Sequence, residues 1–340
     1  MIRMSPQNMV YADTEGNIGY RVIGSLPLRK KGTGNIIQNG EQVRRNWQGN
    51  IPNEDYPQIE NPARGYIATA NNKVVKDSSF DFNSTFAPGY RYENIVRMLG
   101  NKSDIDVEYF KQMQTDTHTI LASKVQSLIK KYVKAESEME QKAFNLVTRW
   151  DGYNRKEATA PSIYNIFYIR LFHQILADEI GEELASEYIV NRYISQERLF
   201  ELLQKNSSFI DNQSTPYKES LGDVATSAFK ETLQILEAQF ESADIDTWQW
   251  GKIHQIKFDH VLGKSALLRP LVNYGPFPFG GDGETVNRGT HNFDAPYMAE
   301  MTASMRLLVD LSDASHSLMA NASGQVGMPL HKHYIDLVDV

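Results

Sequence analysis

The stretch that decides the fold is Asn61-Pro62-Ala63-Arg64-Gly65-Tyr66-Ile67-Ala68-Thr69-Ala70-Asn71-Asn72, in which an apolar run leads into two consecutive asparagines. The apolar run predicts a short strand that ends at Asn71. Asparagine is a poor strand former and ordinarily makes turns at strand ends. Taken alone, the pair Asn71-Asn72 therefore indicates a turn, although the same position would let a side-chain amide face a catalytic cleft.

The residues before this stretch have the pattern of strands joined by turns. Val10-Tyr11 and Ile18 to Gly24 are two short β runs, and the connector from Asp13 to Asn17 carries the Asp, Gly and Asn that favour a hairpin turn. A β-hairpin is therefore predicted near the beginning of the chain.

Beyond Tyr90 the apolar residues take a helical spacing, with Ser103 as a plausible N-cap. After Trp248 the pattern returns to strands and loops, and Met305 to Leu311 predicts a buried strand. These changes predict an α+β fold in one domain with three parts. The parts are a β-rich region at 1–90, a mainly helical region at 91–243 and a β and loop region at 244–340.

Composition excludes several classes of function. The net charge of −7 argues against binding nucleic acid, because neutralising phosphates requires a basic surface. The absence of cysteine excludes disulfides, thiolate metal sites and cysteine nucleophiles. No apolar run approaches the ~18 residues needed to cross a membrane, and Met1 to Pro6 lacks the features of a signal peptide. We therefore expect neither nucleic acid nor a membrane as a partner.

Common hydrolase signatures are also missing. The sequence contains no His-Glu-x-x-His pair and no Gly-x-Ser-x-Gly elbow. His331-Lys332-His333 places two imidazoles on one face of an extended segment, so a zinc hydrolase is a minor alternative.

A series of short blocks runs along nearly the whole chain, from about Asn8 to about Asp336. The blocks are Tyr11-Ala12-Asp13-x-x-Gly16-Asn17-Ile18-Gly19-Tyr20, Pro27-Leu28-Arg29, Trp47-Gln48-Gly49-Asn50-Ile51-Pro52, Asn61-Pro62 to Asn72, Ala87-Pro88-Gly89-Tyr90-Arg91, Met113-Gln114-x-Asp116, Trp150-Asp151-Gly152, Trp248-x-Trp250-Gly251-x-x-His254, Phe258-x-His260, Gly280-Gly281-Asp282-x-x-Thr285, Arg306-x-x-x-Asp310-Leu311-Ser312 and Gly324-Gln325-x-Gly327-x-Pro329. Each is short, but in this order they resemble the penicillin acylase family. Its members are N-terminal-nucleophile amidohydrolases that act on penicillins, cephalosporins and acyl-homoserine lactones.

The resemblance implies a fold and a reaction. The fold would be part of the four-layer αββα sandwich of N-terminal-nucleophile hydrolases, with a helical insertion. Such enzymes are made as a precursor that cleaves itself and exposes a serine, whose hydroxyl attacks the substrate amide while its own α-amino group acts as the base. The implied activity is removal of an acyl side chain from a β-lactam or a homoserine lactone.

The resemblance also implies two candidate catalytic residues. Asn71 matches the asparagine whose side-chain amide helps hold the tetrahedral oxyanion, and Arg91 matches an arginine that orients the nucleophilic centre. No cofactor is required. Some members bind structural calcium, for which Asp77 and Asp81 are the candidate ligands here. Members are usually exported, which implies a periplasmic or secreted location.

The family's nucleophilic segment comes before the Tyr11-Ala12-Asp13 block, and Ser5, which precedes Pro6, lacks the family's motif. We therefore expect this chain to be the C-terminal, β-chain portion of an acylase, incomplete at both ends. Its partner would be the N-terminal portion or α-chain of the same precursor. The alternative is a truncated remnant or subunit fragment that binds or assembles without hydrolysis.

Overall fold

The computed structural model describes residues 5–29, 37, 39–41, 47–75, 80, 86–190, 192–205, 207–212, 215–294 and 297–338. The helices are α1 Tyr90–Gly100, α2 Val107–Gln114, α3 Leu121–Tyr132, α4 Glu138–Thr148, α5 Ala160–Ile180, α6 Glu182–Val190, α7 Arg192–Gln204, α8 Leu221–Phe240, α9 Trp250–Ile253 and α10 Arg269–Val272. The strands are β1 Gln7–Ala12, β2 Ile18–Ile23, β3 Pro27–Arg29, β4 Trp47–Asn50, β5 Gln58–Glu60, β6 Gln255–Phe258, β7 Tyr274–Pro278, β8 Thr290–His291, β9 Ala299–Met301, β10 Met305–Leu308 and β11 Leu318–Asn321. The α+β class is confirmed. In this described part, none of the helices combines the length and apolarity that a membrane span requires.

The predicted hairpin is confirmed. Strands β1 and β2 pair antiparallel, with Tyr11 opposite Gly19. Asp13 Oδ1 accepts hydrogen bonds from the backbone N–H groups of Glu15 and Asn17, which is the local chemistry that makes Asp a turn residue. Strand β5 adds to the other edge of β2, so the sheet has the order β1-β2-β5. This sheet leads directly into Asn61, whose Oδ1 accepts from the N–H of Ile18 at 2.9 Å.

The main core is helical and is centred on α5. This helix has buried residues all around its circumference, including Ile163, Phe167 and Leu171, which is the pattern of a helix enclosed by others. It packs against α8, whose first turn is closed by a capping box between Ser220 and Asp223. The helical region therefore has its own substantial core beside the small sheets.

The predicted cap at Ser103 is wrong. Asp106 is the N-cap of α2, because its Oδ1 accepts the N–H of Tyr109 at 2.8 Å. The helical spacing beyond it is also divided into α2 and α3. Between them the backbone bonds across the fold instead, with Thr119 N–H donating to the Gly152 carbonyl at 2.9 Å. Because of this long-range pairing, the residues between α2 and α3 belong to neither helix. The spacing of apolar residues in the sequence could not predict this pairing.

The predicted burial of Met305 to Leu311 is wrong as well. The strand β10 ends at Leu308 and pairs with β11 in a two-stranded sheet. Met305 and Leu307 lie on the same face of β10 and are 52% and 47% exposed. Met319 of β11, opposite Leu307, is 51% exposed. Among the described residues this face is left about half exposed, so an apolar sequence alone was not sufficient to predict burial.

Candidate active site

Asn71 and Arg91 lie in the same open cleft, which has a volume of about 370 Å³. Three separate parts of the chain form it. The start of β1, the end of the Asn61–Asn72 stretch and the first turns of α1 provide most of the lining, and the loop before β8 adds one side chain. The lining residues are Gln7, Asn8, Thr69, Ala70, Asn71, Arg91, Ile95 and Val286.

The two predicted site residues are in direct contact. Arg91 Nη2 donates a hydrogen bond to Asn71 Oδ1 at 2.9 Å. A guanidinium has only donors, so it can accept no bond from the amide nitrogen and selects the orientation in which the asparagine oxygen faces it. Within the described part of the chain, Nδ2 of Asn71 makes no hydrogen bond. The arrangement therefore leaves an oriented N–H donor beside the cleft.

The backbone at Asn71 explains why asparagine occupies this position. Its φ is +63°, in the left-handed region that asparagine tolerates better than most residues. Its carbonyl accepts the N–H of Ala87 at 2.8 Å, and Asn72 Oδ1 accepts the N–H of Ala70 at 3.0 Å. The tandem asparagines thus form a turn, as their residue type predicts, and the turn places the Asn71 side chain at the cleft.

The short strand predicted before Asn71 is wrong. Tyr66 to Thr69 forms no strand and pairs with no neighbouring strand among the residues described. Tyr66 and Ala68 instead pack against the buried side chains of Met98 and Leu99. The apolar pattern therefore reflects contact with α1, not membership of a sheet.

A buried polar network holds α1, and hence Arg91, in place. Asn94 is fully buried; its Nδ2 donates to Asp116 Oδ1 at 2.8 Å, and its Oδ1 accepts from Arg97 Nη2 at 2.7 Å. Burial, together with the charge of Arg97, lowers the pKa of the adjacent His118. Sequence reasoning missed Asn94. The available signal was its spacing of four from Tyr90 and from Met98, which places an amide on the buried face of the helix.

The loop that carries Val286 to the cleft is anchored in the core. Gly281 N–H donates to the Asn154 carbonyl at 2.8 Å, and Trp250 Nε1 donates to the Gly281 carbonyl at 2.9 Å. Asp282 is only 2% exposed and accepts from Asn154 Nδ2 at 3.1 Å. The Gly-Gly-Asp block, for which the sequence suggested no role, therefore fastens one wall of the cleft.

The structure bears on only one of the two sets of metal candidates. Asp77 and Asp81 lie outside the described residues, so calcium binding there stays a prediction. The rings of His331 and His333 are 5.5 Å apart, and His333 Nδ1 contacts Asp336 Oδ2 at 2.6 Å. Across the described ranges, no set of three or more His, Asp or Glu side chains is arranged to hold a metal ion.

The fold matches that of N-terminal-nucleophile hydrolases. The thermostable penicillin G acylase from Alcaligenes faecalis superposes with a TM-score of 0.61 over 98% of this chain and 62% of that chain. The sequence identity is 16%, so this likeness concerns the fold alone.

The chain belongs to the penicillin amidase family, whose model matches residues 1–340. It is 26% identical to the acyl-homoserine lactone acylase QuiP of Pseudomonas aeruginosa, over 99% of this chain and 43% of that protein. It is 28% identical to QuiP of Pseudomonas fluorescens Pf-5, over 99% of this chain and 43% of that protein. The penicillin acylase 2 proenzyme of Pseudomonas sp. SE83 is 27% identical, over 97% of this chain and 42% of that protein. The chain thus spans less than half the length of these relatives.

Proposed function

We propose that this chain supplies the side-chain oxyanion donor for hydrolysis of an acyl amide. The observation that carries the proposal is the hydrogen bond from Arg91 to Asn71 Oδ1, which turns the asparagine Nδ2 into a preorganised donor. Such a donor stabilises charge that develops only as the tetrahedral intermediate forms, so it lowers the barrier to reaction instead of tightening substrate binding. Membership of the penicillin amidase family supports the same chemistry.

In the proposed reaction, the nucleophile is an N-terminal serine from polypeptide outside these 340 residues. Its hydroxyl oxygen attacks the carbonyl carbon of the amide while its α-amino group takes the hydroxyl proton. The carbonyl oxygen becomes an oxyanion and accepts a hydrogen bond from Asn71 Nδ2. The C–N bond then breaks, and the amine leaves with the transferred proton. Water hydrolyses the resulting serine ester and releases the carboxylic acid.

We propose N-acyl-homoserine lactones as the first substrate class to test, with the acyl amide of penicillins as the second. Several relatives named acyl-homoserine lactone acylase match 97% or more of this chain, and a relative named penicillin acylase matches it with similar identity. The native protein is expected to release free homoserine lactone and the fatty acid, which chromatography of both products measures. No amide hydrolysis of either class by the native protein would contradict the proposal and favour a non-catalytic fragment.

Arg91 is expected to act on the reaction through Asn71. Replacing it with methionine removes the donor that orients the amide, and kcat for amide hydrolysis should fall by about tenfold, the equivalent of one charge-assisted hydrogen bond. KM should change little because the substrate contact is retained. Arg91→Lys should recover part of the loss, since lysine keeps the charge but lacks the planar fork.

Arg64→Met is the matched control for Arg91. Arg64 is an exposed arginine that bonds the Tyr66 carbonyl and the Tyr92 hydroxyl, and among the described contacts it does not bond Asn71. An equal loss of kcat in both variants would mean that Arg91 has no specific effect on the amide.

A further inference from the structure

The side chain of His254 contacts both ends of the loop 279–289, which carries Val286 to the cleft. Among the described contacts, it alone does so within the block from Trp248 to His254. It is fully buried. Its Nδ1 lies 2.8 Å from the carbonyl oxygen of Phe279, and its Nε2 lies 2.9 Å from the carbonyl oxygen of Gly289. The segment between these two residues carries Gly281, Asp282 and the cleft residue Val286.

Both contacts are made to carbonyl oxygens, which can only accept hydrogen bonds. A neutral imidazole has one N–H, so its other nitrogen would direct a lone pair at a carbonyl oxygen less than 3 Å away. We infer that His254 is held as an imidazolium, with both ring nitrogens protonated, and that it is a positioning residue that fastens the 279–289 loop against the cleft. Its bearing on catalysis rests on the function proposed above.

The surroundings of His254 suit a cation. The ring stacks on Trp250 with centroids 4.5 Å apart and planes within 9°, so a positive charge would face the π-electrons of the indole. Two carboxylates, Asp282 and Glu284, are buried in the same loop with exposures of 2% and 4%. A buried carboxylate is stable in its charged form only where hydrogen bonds or a cation compensate it. An imidazolium bonded to the same loop adds a positive charge to this region.

The other titratable groups on the elements around His254 include Lys252 of α9, Lys257 of β6 and Arg288 next to Gly289. They also include His291 of β8, Tyr164 of α5 and Lys156 beside Gly251. The His291 ring centroid is 5.6 Å from that of His254. Its contacts are Nδ1 to the Asn292 carbonyl at 2.7 Å and Nε2 to Asn165 Oδ1 at 3.3 Å. The second is long, so the requirement for two donors is weaker there than at His254. Burial, with the negative charge of Asp282, raises the pKa of Tyr164.

One side chain thus controls both ends of a loop segment. Loss of the second ring proton would replace one N–H donor with a lone pair that repels the carbonyl it faces. Either Phe279 or Gly289 would then move, and Val286 is carried between them. Asn287, next to Val286, donates its N–H to the Asp116 carbonyl at 2.8 Å, which connects the same loop to the network that holds α1.

The test is the pH dependence of the melting temperature of the native protein and of its His254→Phe variant. Phenylalanine keeps the stack on Trp250 and removes both hydrogen bonds. An imidazolium that is favoured in the folded protein stabilises it fully below about pH 6.5, where free histidine is protonated too, and this stabilisation is lost as pH rises. The wild type is therefore expected to exceed the variant most near pH 6, with a difference that shrinks steadily as the pH rises above about 6.5.

A neutral His254 gives the opposite result. Its stabilising effect would grow from about pH 5 to about pH 7 and stay constant above, and that outcome would overturn the inference. His260→Phe is the matched control, since His260 Nδ1 faces the N–H of Leu262 at 3.1 Å and not a carbonyl oxygen. Its difference from wild type should not shrink at alkaline pH.

Neutron diffraction of the native protein at about pH 8, above the range in which free histidine is protonated, keeps the inference testable if the variant does not fold. Deuterons on both ring nitrogens of His254 are expected, and a deuteron on one alone would refute an imidazolium. Both experiments read protonation and stability rather than hydrolysis. Failure of the proposed acylase function would leave them unaffected. If that function holds, kcat should also decline at the alkaline end of that range, where the imidazolium of the folded protein itself loses its proton.

Discussion

Replacement of Asn71 by glycine is expected to lower kcat for amide hydrolysis by about 10²–10³, which corresponds to about 3–4 kcal/mol of lost transition-state stabilisation. The substitution removes the only side-chain N–H that Arg91 presents to the cleft among the described contacts. Glycine is chosen because φ at Asn71 is +63°, a conformation that glycine adopts without strain and alanine does not. The loss would therefore report the missing donor and not a distorted turn. Steady-state kinetics on the preferred acyl amide measure it.

Two companion variants sharpen this experiment. Asn71→Asp keeps the size of the side chain but presents an anion where the oxyanion forms, so its kcat should be at least as low as that of the glycine variant. Asn72→Ala removes the neighbouring amide, whose oxygen, among the described contacts, accepts only the Ala70 N–H in the turn. This variant should keep kcat within a few-fold of wild type. Equal losses at Asn71 and Asn72 would show that the turn matters and the donor does not.

Gly281→Ala is expected to cause the largest loss of stability, about 4 kcal/mol or more. The φ of Gly281 is +82°, where an L side chain is strained. A Cβ there would overlap the backbone carbonyl oxygen of Asn287 and lie 2.7 Å from Thr285 Oγ1. Because backbone atoms cannot swing aside as a flexible side chain does, the loop must move. Urea unfolding followed by tryptophan fluorescence measures the change, since Trp250 donates to the Gly281 carbonyl.

Gly65→Ala separates conformational strain from collision. Gly65 also has a positive φ, +72°, but a Cβ there would have no atom within 4 Å among the described residues. Its cost should be about 1–2 kcal/mol, the strain of the left-handed conformation alone. If Gly65→Ala and Gly281→Ala destabilised the protein equally, the close approach of the loop to Gly281 would not be the cause.

Much of this protein could be predicted because the information is local. The turn from Asp13 to Asn17 is built by hydrogen bonds within the turn itself, so residue type was enough to predict it. The order of the short blocks pointed to the penicillin amidase family, and it drew attention to Asn71 and Arg91 although they are 20 residues apart. The catalytic roles of these two residues remain predictions.

Other features depend on partners that are distant in sequence. The helical spacing beyond Asp106 is interrupted because Thr119 bonds Gly152, and Tyr66 packs on α1 where a strand was predicted. Asn94 is essential to the placement of α1 only because Asp116 and Arg97 meet it there. None of these contacts produces a periodic pattern in the sequence from which it could be predicted.

The sequence by itself determined the family, the α+β class and the identity of the two residues at the cleft, since these follow from residue type and order. Tertiary structure alone decided which atom of the Asn71 amide faces Arg91, which loop adds Val286 to the cleft and which carbonyls of that loop His254 contacts. Hydrogen bonds depend on distances of a few tenths of an ångström and on the direction of each donor. Only the packing of elements that are remote in the chain sets those distances and directions.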